Sequence, residues 1–247
     1  MSIQLLKAQD QNTGAFDNGK IKERKPVAFP SENPVLHPFS TLFYWAYAWS
    51  HHGGLIGEHP HRGFEICTFV LEGSIEHYDS NNQKWLPLKA GDVQIIRSGS
   101  GITHAEKLNP GSRIFQIWFD PDLQQSLGKP ASYDDYRDGD FPIAEKNGLK
   151  ITTFIGPGGP IIMDTPIRAR RFEFSQGEHI AELAPEHKAG LFLFDGELTL
   201  LGTPMQKGDF ALIEQEQDLT INASTDAVLF AIEVLDPAPY QTYAASR

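Results

Sequence analysis

The clearest chemistry in this sequence lies in four residues. In EHPHRGFEICTFVLEG, His59 and His61 stand two apart, and in an extended strand that spacing puts both imidazoles on one face. Further along, SGSGITHAEK brings His104 and Glu106, again two apart, so a second strand can offer another nitrogen and a carboxylate to the same point. Three neutral imidazoles and one carboxylate form a mixed nitrogen and oxygen donor set. Such a set suits Fe(II), Mn, Co, Ni, Cu or Zn and leaves positions open for substrate or water. Glu65, four residues after His61, satisfies the same period-2 condition, so spacing alone does not choose between Glu65 and Glu106 as the carboxylate.

The elements that must position these residues read as strands. From Phe39 to Phe119 the runs STLFYWAYAW, EICTFVLEG, SIEHYDS, DVQIIRSG and RIFQIWFD are short, rich in β-branched and aromatic residues, and bounded by Gly, Asn, Asp or Pro. No long amphipathic helical pattern interrupts them. Pro121 to Gly148 is polar, acidic and punctuated by Pro and Gly; it reads as an inter-domain connection with one short helix near Asp122 to Leu127. A second β-rich half follows, with RRFEFSQG, GLFLFDGELTLLG, KGDFALIE and AVLFAIEVL. Leu71-Glu72-Gly73 matches Phe194-Asp195-Gly196, and Gly91-Asp92 matches Gly208-Asp209, in the same order, which suggests two units from one duplicated ancestor. Carried across at those offsets, His59 and His61 fall on Glu182 and Ala184, and His104 and Glu106 on Ile221 and Ala223. The second half is therefore expected to hold no metal.

Charge narrows the function classes. Lys and Arg number 21 against 32 Asp and Glu, a formal charge of −11, which disfavours phosphate backbones and anionic membranes as partners. The N-terminal stretch has no apolar core of signal-peptide length and no run is long enough to span a bilayer, so a cytoplasmic location is expected. Cys67 is the only cysteine; an intrachain disulfide and a thiolate-rich zinc site are both excluded. A small buried side chain is the expected role of Cys67. His51 and His52 read as loop residues before the motif, His77 as a surface or supporting position, and His179 and His187 as structural or exposed.

Glycines frame the candidate ligands: Gly53 before His59, Gly73 closing the strand after His61, and Gly91 and Gly99 before His104. With that frame, HPHRGFE and SGSGITHAEK resemble the pirin family of the cupin superfamily over most of the chain. The resemblance implies an all-β fold of two tandem jelly-roll-like β-barrels, a bicupin. It divides the chain into a metal-binding domain over 1–130 and a second cupin domain without a metal site over 131–247. It also names Glu106 as the fourth ligand beside His59, His61 and His104. One divalent metal per chain is implied, Fe(II) first, with Cu, Mn, Co, Ni or Zn as alternatives. Arg97 stands where many cupins have proline, so the general cupin pattern is only partly met. Some family members resemble quercetin 2,3-dioxygenases, which implies a flavonol-like aromatic substrate, O2 as co-substrate and Glu106 as catalytic base. Others act as regulators, which implies a metal- or redox-dependent cofactor that binds a protein partner.

Overall fold

The computed structural model describes residues 2–246. The chain forms two compact units, Gln11–Asp138 with Tyr240–Arg247 and Gly139–Pro239 with Met1–Asp10. Each contains a seven-stranded and a four-stranded antiparallel sheet. Each unit is the jelly-roll-like arrangement expected, built as two facing sheets that no ladder joins among the described residues.

In the first unit, apolar side chains of the long sheet (Ile21, Ala48, Val70, Ile114) meet Ile75, Leu88 and Leu108 of the short one. Strand alternation explains the layering: inward residues at every second position fill the space between sheets. The second unit repeats the plan with an apolar interior, in which Phe172, Ala189, Leu191, Leu229 and Ala231 pack with Leu198, Leu200, Leu219, Ile221 and Ala223. Both Gly-Asp turns of the internal repeat are structurally alike: Gly91 and Gly208 both have φ +91°, and Asp92 and Asp209 are both buried.

The boundary expected between 130 and 131 lies before the observed division at Asp138/Gly139. The reason is local. Ser132–Tyr136, in a segment read as a polar connection, is an edge strand paired with Val93–Arg97; one of its faces stays wet, so its acidic residues do not forbid the strand. The short helix of that segment is a single turn, Leu123–Ser126, with the Asp122 side chain accepting from Gln124 N at its start. Ser2–Leu6, which carried no strand expectation, pairs with Phe210–Glu214 and so belongs to the second unit. Among the described residues no helix is long and apolar enough to cross a membrane.

Candidate metal centre

His59 and His61 lie on the strand Gly54–His61, and His104 and Glu106 on Ile102–Leu108, which pairs with it. His104 stands directly opposite His59, and the register shifts between His104 and Glu106, an irregularity of the kind that re-aims side chains in a sheet. The three imidazoles converge: His104 Nε2 is 2.9 Å from His61 Nε2 and 3.0 Å from His59 Nε2. His59 Nδ1 donates to Gly57 O at 2.8 Å, which fixes the tautomer and leaves the Nε2 lone pair facing the other rings. His61 is pushed down to about 3, first by burial and then by His104 and His59. His104 is held at about 2, first by burial and then by His59 and His77. These rings are neutral at physiological pH, the form that ligates metal.

Glu106 is fully buried and firmly oriented. Gln116 Nε2 donates to its two oxygens at 2.8 and 2.7 Å, and Thr68 Oγ1 donates to Oε1 at 3.3 Å. Trp118 Nε1 in turn donates to Gln116 Oε1 at 3.1 Å, and the Trp118 ring meets His61 edge-on at 4.7 Å between centroids. Phe29 and Tyr44 stack beside Trp118, and Phe64 lies 6.1 Å from it. An aromatic wall thus adjoins the His61 imidazole.

Two clusters of side chains that could hold a metal ion occur among the described residues, and both lie in this unit. One is His59, His61 and His104; the other is His77, His104 and Glu106. The donors fit a divalent metal: ring nitrogens of His59, His61 and His104 lie within 4.8 Å of one another, and three imidazoles are a common ligand set for such ions.

Glu65 belongs to neither cluster. It pairs with Phe119 as Thr68 pairs with Gln116, and odd and even positions of that strand face opposite ways. Thr68 touches Glu106, so Glu65 and Cys67 occupy the other face, where Glu65 lies 4.0 Å from Arg97 Nε. The parity argument from His61 fails because Gly63, at φ +87°, separates the two strands. Cys67 is buried, and His51 and His52 are exposed. His77 is the position that sequence reasoning undervalued; it stands opposite Glu106 in the register with Ser74–Asp79 and is fully buried.

In the second unit the corresponding pair is apolar, with Ile221 and Ala223 buried. The residue opposite Ile221 is His179; the offset that put Glu182 and Ala184 at the histidine positions is upset by a longer connection before His187. His179 Nε2 donates to Ser175 O at 2.7 Å, and His187 Nδ1 to Pro185 O at 2.6 Å.

Residues 20–119 match the family model described as Pirin, and residues 159–234 match the quercetinase C-terminal cupin domain. Pirin-like protein 2 of Arabidopsis thaliana is 34% identical over 164 residues, 63% of this chain and 49% of that protein. The match thus spans about half the length of that relative. Quercetin 2,3-dioxygenase of Escherichia coli K12 is 28% identical over 183 residues, 72% of this chain and 75% of the relative. The bacterial pirin YhhW of Escherichia coli, solved in complex with nickel(II), has a TM-score of 0.77 at 24% identity, covering 95% of this chain and 99% of that one. On the histidine and glutamate motifs, the two jelly-rolls and these matches, the chain belongs to the pirin family.

Proposed function

We propose that the protein is a metal-dependent dioxygenase that opens flavonols such as quercetin, with one divalent metal held by His59, His61, His104 and Glu106. The observation that carries this reading is the convergence of three imidazole nitrogens at 2.9 and 3.0 Å beside a buried carboxylate, in a chain whose relatives include a named quercetin 2,3-dioxygenase. Fe(II) is the metal we favour, because a mixed imidazole and carboxylate set with open positions suits it. When bound, the metal supplies Lewis acidity to a substrate oxygen and a place for O2.

The remaining work falls to side chains. Glu106 takes the proton of the flavonol 3-hydroxyl, a role that neutral ligating imidazoles do not fill. Gln116 and Thr68 keep that carboxylate aimed, and Trp118 keeps Gln116 aimed. Phe29, Tyr44, Phe64 and Trp118 offer flat apolar surface on which an aromatic substrate stacks and from which water is expelled. The test is oxygen uptake by metal-loaded protein with quercetin. Uptake that stops on chelation and in Glu106→Ala supports the proposal. Loaded protein that consumes no oxygen with any of several flavonols and metals rejects it in favour of a metal-dependent regulator that binds a protein partner.

A further inference from the structure

The end of the chain returns to the first unit: once Gly139–Pro239 have built the second, the residues from Tyr240 onward belong with Gln11–Asp138. What they pack on is the aromatic wall beside the metal centre. Tyr243 and Ala244 join the cluster of Phe29, Phe43, Tyr44, Phe64 and Trp118. The Tyr243 ring meets Phe43 at 5.7 Å and 72° and Phe64 at 5.6 Å and 89°, the edge-on geometry that aromatic pairs favour. Phe43 and Phe64 stack on each other at 4.8 Å and 20°, so one ring of the tail touches both. The tail is fastened close by. Ala244 N donates to Asp120 Oδ2 and Tyr240 Oη to Asp120 O, both at 3.1 Å, and Asp120 is itself fully buried directly after the strand Ser112–Phe119.

Phe64 is the wall residue that needs such a brace. It lies outside the strands, in the short connection between Gly54–His61 and Glu65–Glu72. Ser98 N and Ser98 Oγ donate to its carbonyl at 2.9 and 2.7 Å, which fixes the backbone and leaves the ring to be placed by what packs against it. That ring lies 6.1 Å from Trp118, the residue that meets His61 edge-on. We propose that residues 240–245 form a strap that completes the aromatic wall, and that Tyr243 is a positioning residue: by bracing Phe64 and Phe43 it sets the face on which an aromatic substrate stacks. Acting through those rings, it raises substrate affinity and leaves metal affinity unchanged.

This role rests on the flavonol reading, and calorimetric titration of quercetin into full-length protein loaded with Zn(II), which has no redox chemistry, separates the two claims. Wild type should bind quercetin. Tyr243→Ala should bind it roughly tenfold more weakly, and Tyr243→Phe, which keeps the ring, within about twofold of wild type. Asp120→Ala, which removes the acceptor for Ala244 N, should weaken binding in the same direction. Zn(II) affinity should stay within about threefold of wild type in every variant, since no ligand and no partner of a ligand is removed. Circular dichroism and thermal melting check folding; if Tyr243→Ala melts well below wild type, Tyr243→Leu, which keeps apolar bulk without a ring edge, replaces it. Wild type that binds no quercetin, with Zn(II) or with Fe(II) under argon, rejects the flavonol reading and the strap's role with it. Wild type that binds, with Tyr243→Ala binding equally well, overturns the strap alone, as does a Tyr243→Ala protein that loses Zn(II) and quercetin together.

Discussion

Gln116 is the residue on which the orientation of Glu106 depends, and Gln116→Leu tests that dependence. The change keeps an apolar side chain of similar bulk and removes the Nε2 contacts to both carboxylate oxygens, at 2.8 and 2.7 Å, together with the 3.1 Å bond from Trp118. Hydrogen bonds to charged groups contribute about 1.5–3 kcal/mol net. The carboxylate left behind is fully buried and keeps only Thr68, at 3.3 Å. We therefore expect the metal-stripped first unit to lose about 2 kcal/mol, and metal affinity to fall roughly 10–100-fold because the ligand is no longer aimed. Trp45, Trp49, Trp85 and Trp118 are the only tryptophans and all lie in that unit, so tryptophan fluorescence during urea denaturation reports it selectively. Thr68→Val, which removes the longer bond, should cost about 1 kcal/mol. A Gln116→Leu protein with unfolding free energy within about 0.5 kcal/mol of wild type and unchanged metal affinity would refute the reasoning.

Three further outcomes follow from named contacts. Glu106→Gln should weaken metal binding by tenfold or more while Glu65→Gln leaves it within about threefold, measured by calorimetric titration; the reverse order would return the carboxylate ligand to the general cupin position. Asp120, buried and accepting from Ala244 N at 3.1 Å, is raised by burial from 3.8 to about 6. The folded state therefore binds its proton more readily than the unfolded one, and stability from this group is full below pH 4 and is lost as pH rises through 6, by up to about 3 kcal/mol. Asp120→Asn should remove that fall in urea melts at pH 4 to 7, and an unchanged pH profile would contradict it. Gly196, at φ +83°, would place an added Cβ against the Asp226 carbonyl oxygen and 2.8 Å from Ala227 Cα, whereas Gly202, at φ +80°, has open space. Gly196→Ala should cost about 2–4 kcal/mol and Gly202→Ala only about 1–2, by thermal melting; equal costs would show that the close approach is relieved elsewhere.

The convergence of His59, His61 and His104 was legible because period-2 spacing survives within a single strand. Parity was not legible across a break in the strand. Gly63 ends one element and the next begins at Glu65, so the four-residue spacing from His61 carried no information about the face that Glu65 occupies. The burial of His77 opposite Glu106 was missed for a related reason: it comes from the register with Ile102–Leu108, a long-range pairing that no local pattern encodes. The internal repeat was read correctly at its Gly-Asp turns, where backbone geometry constrains sequence, and drifted between them, where connection lengths are free to change. The segment Ser132–Tyr136 was missed because an edge strand tolerates the acidic residues that usually mark a loop.

The account is tested most directly by incubating quercetin with protein loaded with one Fe(II) per chain and measuring oxygen consumed and carbon monoxide released in the same vessel. Ring opening by a dioxygenase predicts one carbon monoxide for each O2, with both lost in Glu106→Ala and on chelation. Oxygen consumed without carbon monoxide, or neither gas changing while the metal stays bound, would contradict it.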